Sequence, residues 1–308
     1  MKPALWLLPG VLLALPAQAL NIEFDYTYDT RGFFTDIATG MPIVERRALL
    51  EEAASFYSGF TDSLTAIAPQ AGDNWSVRFT HPSLGPIVTL TNPSIAADTI
   101  RIHVGGSSSA PGVLGFAGTG TVLSATGSPD FVDAVMHRGQ GQTLGPEARD
   151  YATWGGYIWF NAANDWHFGS DISQLTPDNP DFLTTAIHEI GHILGFGTAD
   201  SWLTQIDANG HFIGASVLAL NGQPVELDVY GMHWAEGTMS TYQGQPQETL
   251  MDPSTPRGER QLPTALDYAA FSDIGWQVTP VPEPHNLALF GTGALLVLIA
   301  ARRRNTRA

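Results

Sequence analysis

Residues 188–195 read His-Glu-Ile-Gly-His-Ile-Leu-Gly, and this stretch constrains the fold of the chain more than any other. On an α-helix, residues four apart lie on the same face, with their Cβ atoms about 5–6 Å apart. The imidazoles of His188 and His192 can therefore point at one tetrahedral metal ion such as Zn²⁺. Glu189 stands beside the first histidine, where it reaches a water molecule at the metal rather than the metal itself. The motif predicts a helix that carries two metal ligands and a general base.

Signals at both ends of this stretch support the helix. Residues 179–181 (Asn-Pro-Asp) offer an N-cap, a proline at the first helical position and a negative charge in the first turn. Gly195 and Gly197 suit a left-handed helix stop. Gly191, inside the helix, costs about 1 kcal/mol relative to alanine, but it leaves room for another segment to approach the metal side. The apolar residues between these ends recur at helical spacing: Phe182, Leu183, Ala186, Ile187, Ile190 and Leu194.

A catalytic zinc site needs a third protein ligand, and the sequence offers three candidates for it. His233 stands in a His-Trp pair, and His211 stands in a polar, turn-rich loop. Glu226 lies in a segment that alternates apolar and acidic residues like a half-buried strand. It would complete a site of two histidines and one glutamate. Spacing alone leaves these alternatives open.

The order of motifs resembles the leishmanolysin-like branch of the metzincins, a family of zinc endopeptidases. Most metzincins carry a third histidine three residues after the motif's glycine, and Thr198 occupies that position here. In the leishmanolysin-like branch an insertion separates the glycine from a third histidine in a His-Trp context, and a Leu-Met-x-Pro segment follows. The resemblance covers roughly residues 150–276. It implies His233 as the third zinc ligand and Met251 as the Met-turn residue beneath the zinc.

The resemblance also implies a fold and an activity. The fold would be an α+β zincin domain over residues 20–279, with a twisted mixed sheet and a long active-site helix up to about residue 197. An irregular C-terminal subdomain would follow over residues 198–279. The activity would be that of an endopeptidase with one catalytic zinc ion on His188, His192 and His233 and with Glu189 as general base. A protein or peptide substrate would pair in extended form with a strand at the sheet edge, formed by Tyr157, Ile158, Trp159 and Phe160.

Two further points qualify this expectation. Tyr230 and Tyr242 are candidates for assisting the reaction, but nothing in the sequence fixes their geometry. Thr198, in place of the usual histidine, favours a second hypothesis: a weakly active or inactive surface or matrix protein of the exopolysaccharide or biofilm layer that keeps the fold. An intact Glu189 and the presence of His233 favour the enzyme.

The two ends of the chain indicate export. Residues 1–19 combine a short basic start, an apolar run and an Ala-Gln-Ala cleavage site, as in a secretory signal peptide. Residues 280–308 contain Pro-Glu-Pro, an apolar stretch at about 287–301 and an arginine cluster. This tail resembles the PEP-CTERM sorting signal of Gram-negative bacteria. It implies a transient inner-membrane anchor, with the arginines in the cytoplasm, removal by an exosortase, and delivery to the cell surface or extracellular matrix.

Charge and cysteine content agree with an extracellular protein. Residues 20–279 contain nine arginines, no lysine and 29 acidic residues, which gives a net charge of −20. Such a charge argues against nucleic acid as a partner. It is compatible with bound Ca²⁺, although no EF-hand-type acidic loop is present. The chain has no cysteine, so it has no disulfides and the burial of its core must provide its stability.

Hydrophobic patterning predicts the remaining elements. A first strand is expected at residues 21–28, further strands at 75–80, 99–104 and 155–161, a helix at 44–68 and a closing helix at 266–274. Residues 105–120 are rich in glycine and serine and are expected to form a loop. Part of this loop faintly resembles the metal-binding loop of matrixins, but Phe116 stands where a zinc-binding histidine is common. We therefore predict no second zinc.

Overall fold

The computed structural model describes residues 19–110 and 112–279. Apart from Ala19, the predicted signal peptide (1–19) lies outside the described residues. The predicted sorting signal (280–308), with its helix at about 287–301, lies entirely outside them. Within the described part of the chain, no helix is long and apolar enough to cross a membrane.

The described part of the chain contains eleven strands and six α-helices. In chain order they are β1 (Asn21–Asp25), α1 (Val44–Ser55), β2 (Asn74–Thr80), β3 (Ile87–Thr91), β4 (Thr99–Ser107), β5 (Gly115–Thr119), β6 (Thr121–Thr126), α2 (Pro129–His137), β7 (Gly155–Asn161), α3 (Phe182–Ile193), α4 (Asp200–Leu203), β8 (His211–Phe212), α5 (Ala215–Asn221), β9 (Val225–Glu226), β10 (Met239–Tyr242), β11 (Gln245–Glu248) and α6 (Ala265–Asp273), with a 3₁₀ turn at Ile172–Gln174. The predicted mixed α+β class is confirmed.

The main sheet has four strands in the order β1–β4–β7–β5. The first three run parallel, and β5 runs antiparallel to β7 at the end of the sheet. Ile100, Ile102 and Val104, which share one face of β4, are completely buried, and His103 on the opposite face is 2% exposed. Burial on both faces is typical of a parallel strand. A second, antiparallel sheet of β3, β2 and β6 packs against α2 and has its own small apolar cluster.

Helix α3 lies at the centre of the larger core. It packs against α1, β5 and β7, and all twelve of its residues are buried. The same core includes aromatic side chains from beyond Gly197, among them Trp202, Phe212, Trp234 and Phe271. The segment after Gly197 therefore shares one core with the segment before it, although its own elements are short.

The strand predicted at residues 155–161 is present, but its predicted position at the edge of the sheet is wrong. Tyr157, Ile158, Trp159 and Phe160 belong to β7, which pairs with β4 on one side and with β5 on the other. Both backbone edges of β7 are therefore used inside the sheet. Residues 115–119, which the sequence places in a loop, form the terminal strand β5 instead. Composition misleads here because glycine is tolerated where another backbone or side chain approaches closely.

The predicted boundaries of two helices also change. The helix expected over residues 44–68 ends at Ser55, yet the later residues of its apolar pattern, such as Tyr57 and Phe60, are still buried in turns. The apolar pattern over residues 44–68 thus predicts correctly which residues are buried, but not where the helix ends. Helix α3 is capped by Asp181, whose side chain accepts a hydrogen bond from the N–H of Thr184, rather than by Asn179. Pro180 therefore precedes the helix.

Gly191 lies where α3 contacts two buried side chains. A Cβ atom added at this position would lie 2.8 Å from the Met251 sulfur and 3.1 Å from the Tyr57 hydroxyl oxygen. Both neighbours are almost fully buried, and the Tyr57 hydroxyl donates a hydrogen bond to the Ile187 carbonyl at 2.7 Å. The sequence expectation that another segment approaches the helix at Gly191 is confirmed.

We predict that Gly191→Ala lowers the free energy of unfolding by about 1–2 kcal/mol, because overpacking outweighs the gain in helix propensity of about 1 kcal/mol. Denaturant unfolding measures the change. In a double-mutant cycle, Met251→Ala should cost less in the Gly191→Ala background than alone, since it relieves the contact. An unchanged or increased stability of the single variant would contradict this packing.

Candidate metal centre

The turn after α3 contains two glycines and packs against the segment that carries His233. Gly195 and Gly197 both have positive φ angles, of 101° and 71°. A Cβ atom at Gly197 would lie 2.1 Å from the Met232 carbonyl oxygen, so the segment that carries His233 passes directly against this turn. Glycine is required here both for the backbone conformation and for the close approach.

Three imidazoles meet at one point. His188 and His192 come from successive turns of α3, and His233 comes from the irregular segment after β9. The Nε2 atom of His192 lies 3.1 Å from that of His188 and 3.0 Å from that of His233. Three nitrogen ligands of a tetrahedral ion at the usual Zn–N distance would lie about 3.3 Å apart. These three residues are thus close enough to bind one metal ion.

The other ring nitrogen of each histidine is held by an oxygen atom. The Nδ1 atom of His188 lies 2.8 Å from the Leu250 carbonyl, and that of His192 lies 2.9 Å from the Phe196 carbonyl. A carbonyl only accepts, so each Nδ1 carries the proton and each Nε2 presents its lone pair. Partners of this kind fix the ring orientation and increase the basicity of a metal ligand.

Asp228 provides the oxygen atom that accepts the hydrogen bond from Nδ1 of the third histidine, His233. Its carboxylate lies 3.1 Å from Nδ1 of His233 and also accepts a hydrogen bond from the N–H of Met232 at 2.9 Å. Burial would raise the pKa of Asp228, but the hydrogen bonds from the His233 side chain and from these backbone groups outweigh it, so its pKa is lowered. Asp228 therefore stays ionised and orients His233.

The two helical histidines are neutral near pH 7. Burial, followed by the neighbouring His192 and His233 rings, holds the pKa of His188 well below its ordinary value. Burial also lowers the pKa of His192 to about 4, with His233 adding to the shift. Because a metal binds the neutral imidazole, protons compete weakly for the nitrogens of His188 and His192.

Glu189 directly follows His188 in α3, and its side chain lies against strand β5. It is 6% exposed, and burial raises its pKa to about 8, with a hydrogen bond from the backbone N–H of Ala117 partly offsetting the shift. A cation on the histidines would lower this pKa, because an opposite charge nearby favours the ionised carboxylate. Burial and a nearby cation thus shift the pKa of Glu189 in opposite directions, as is typical of a residue that accepts and releases a proton.

The other candidates for the third ligand lie away from this point. His211 and Glu226 pair with each other across the β8–β9 ladder and line a separate depression with Thr238 and Met239. His211 also contacts Asp207 at 3.5 Å. Thr198 donates a hydrogen bond to the His192 carbonyl at 2.7 Å and so supports the turn after α3.

Met251 lies beneath α3, completely buried, and its sulfur is the nearest atom to the Gly191 position. The two tyrosines considered from the sequence are placed differently. Tyr230 is 82% exposed on the segment before His233. Tyr242 ends strand β10 on the hairpin formed by β10 and β11, beside Gln243.

Sequence reasoning missed the acidic residues that support the histidines. Asp228 precedes His233 by five residues and gives no recognisable pattern. Asp267 forms a capping box with Thr264 at the start of α6, and this Thr-x-x-Asp spacing was a signal that could have been found. The Asp267 carboxylate also accepts hydrogen bonds from the N–H of Leu250 and from the indole N–H of Trp234. It thus ties both segments that surround the metal centre to α6.

No protein-family model, curated protein or solved structure matches this chain.

We predict that His233→Ala gives a largely metal-free protein, because a site with two of three ligands loses most of its affinity. The matched controls, His211→Ala and Glu226→Gln, should keep the metal content of the wild type. Inductively coupled plasma mass spectrometry of each purified protein measures the ratio of metal to chain. Full metal content in His233→Ala, or its loss in either control, would contradict the assignment.

Proposed function

We propose that the chain is an exported zinc-dependent endopeptidase of the metzincin type. The observation that carries this proposal is the convergence of three Nε2 atoms, two of them from a helix in which a buried glutamate directly follows the first histidine. The mixed sheet, the buried helix α3 and the methionine packed beneath it support the same assignment. A metal ion with one open position and an adjacent general base is the arrangement that hydrolyses peptide bonds in metalloproteases.

The donor set favours zinc over the other common ions. Three neutral imidazoles are suited to Zn²⁺ and other late transition metals, whereas Ca²⁺ and Mg²⁺ prefer oxygen ligands. Three protein ligands are also the number found in catalytic rather than structural zinc sites. His188, His192 and His233 would hold the ion.

Each residue of the site has a distinct part in the proposed reaction. A bound zinc would supply a Lewis acid that polarises the scissile carbonyl and lowers the pKa of a water molecule toward about 7. Glu189 accepts the proton of the attacking water and returns it to the leaving amine. The hydrogen bonds from the histidine Nδ1 atoms to Leu250, Phe196 and Asp228 keep the ligand geometry fixed while the charge changes.

Strand β5 is the segment on which we expect an extended peptide to bind. Among the described residues, β7 is its only strand partner, so one backbone edge of β5 is open. This strand also contacts the base, since the Ala117 N–H donates to Glu189 and Gly115 lies close to the Glu189 carboxylate. Substrate backbone added along this edge would thus pass the metal centre.

Export and processing complete the proposal. A signal peptide at 1–19 would direct secretion, and an exosortase would remove the tail after an inner-membrane stage. The protein would then act at the cell surface or in the extracellular matrix. The high negative charge of residues 20–279 is in keeping with this location.

We predict that Glu189→Gln lowers casein or gelatin cleavage at least ~10²-fold while the protein keeps its zinc, because only proton transfer is lost. Cleavage by the wild type should also stop with a chelator and return with added zinc. The measurements are the initial rate and the metal content of the same preparation. Near-wild-type activity in the zinc-loaded variant would exclude this mechanism. Wild-type protein with bound zinc but no cleavage would favour the inactive surface protein instead.

We also predict that the mature N-terminus lies near Leu20 and that the released protein ends at about Pro284. Mass spectrometry of protein collected from the cell surface and the medium identifies both ends. Peptides from residues 287–308 on the released protein would contradict the sorting signal without affecting the assignment of the metal centre.

A further inference from the structure

A second group of metal-ligating side chains lies apart from the histidines. Glu236, Glu248 and Asp252 each place one carboxylate oxygen within 4.8 Å of the other two. Their burial increases in that order: Glu236 is exposed, Glu248 is half-buried, and Asp252 is completely buried. The three carboxylates therefore extend from the protein surface to its interior.

Asp252 is the unusual member of this group. No described residue donates a well-formed hydrogen bond to either of its carboxylate oxygens, although the residue is 0% exposed. The arginines that follow it in sequence bind elsewhere: Arg257 donates to the Asp178 carbonyl, and Arg260 pairs with Asp181. A buried carboxylate with no well-formed hydrogen bond is costly, and buried charges in proteins are normally paired or bound to a metal.

The neighbouring acids increase this cost. Burial, followed by Glu248 and then by Glu236, raises the pKa of Asp252 to about 8, and the backbone N–H of Ser254 offsets only part of the shift. Three carboxylates at this separation repel one another when they are ionised. A positive charge between them would remove the penalty.

Strand pairing and side-chain hydrogen bonds hold two of these three residues in place. Glu248 ends strand β11 and pairs with Met239 of β10. Its side chain accepts a hydrogen bond from the Gln261 amide at 3.2 Å, and the Ser254 hydroxyl donates to Glu236. The group is therefore largely preformed, so a cation that binds it would order few additional side chains.

We propose that Glu236, Glu248 and Asp252 bind one calcium ion. All the donors are oxygen atoms, which favours a hard cation over zinc. The exposed side at Glu236 leaves room for water ligands, and the buried Asp252 requires an ion that sheds part of its hydration readily, as calcium does more easily than magnesium.

The position of this site gives it a structural role. Asp252 directly follows Met251, and the Leu250 carbonyl accepts the hydrogen bond from Nδ1 of His188. Bound calcium would therefore stabilise residues 250–252, the segment whose Leu250 carbonyl orients His188. The assignment depends on neither the zinc ion nor peptidase activity.

The test is a calcium titration of the full protein, dialysed free of calcium with zinc held constant. CaCl₂ should raise Tm by several degrees, because a ligand that binds only the folded state stabilises it. MgCl₂ at the same concentration should have a much smaller effect. Isothermal titration calorimetry should give one calcium per chain. No shift in Tm and no binding heat up to 10 mM CaCl₂, or an equal response to magnesium, would overturn the proposal.

Two variants locate the ion. Asp252→Asn should lose the calcium response, while its Tm without calcium stays equal to or above that of the wild type, because a buried charge has been removed. The matched control Glu226→Gln removes an exposed carboxylate from the same segment and should respond fully. Glu248→Gln tests the same site if Asp252→Asn fails to fold. A full calcium response in both cluster variants would overturn the assignment. Zinc content, measured in parallel, keeps this result separate from the histidine centre.

Discussion

The buried carboxylate of Asp267 is the interaction on which the arrangement of the metal centre depends. It caps α6 through Thr264 and accepts hydrogen bonds from the Leu250 N–H at 3.1 Å and from the Trp234 indole at 3.0 Å. Leu250 in turn orients His188, and Trp234 directly follows His233. Burial raises the pKa of Asp267, and these hydrogen bonds offset only part of the shift. One acidic group thus links helix α6 to the two segments that carry His233 and Leu250.

The local part of this architecture could be predicted from the sequence. The placement of His188, Glu189 and His192 depends only on the period of one helix, and the apolar residues around them indicate that this helix is buried. The N-cap of α3 was less predictable, because Asn179 and Asp181 both suit this position. Only the hydrogen bond from the Thr184 N–H to the Asp181 side chain identifies Asp181 as the cap. Apolar periodicity also failed beyond Ser55, since a turn can bury residues at the same spacing as a helix.

The non-local part could be predicted only where a motif pointed to it. His233 lies 41 residues from His192, and its expected role came from a family resemblance rather than from spacing. The order of strands in the sheet has no local signal, so β7 was mistaken for an edge and β5 for a loop. Asp228 and Asp252 were missed for a related reason: what distinguishes each of them is its surroundings in the folded chain. Asp228 lies beside His233, and Asp252 follows Leu250 by two residues in the other segment.

The central claim is that three imidazoles, and no other side chains, hold one catalytic zinc ion. X-ray absorption at the zinc K-edge of the purified protein tests it directly, because the spectrum reports the number and type of ligands. The account predicts three imidazole nitrogens and one oxygen at about 2.0–2.1 Å. A shell with only two imidazoles, or one dominated by carboxylate oxygens, would contradict the assignment of His188, His192 and His233.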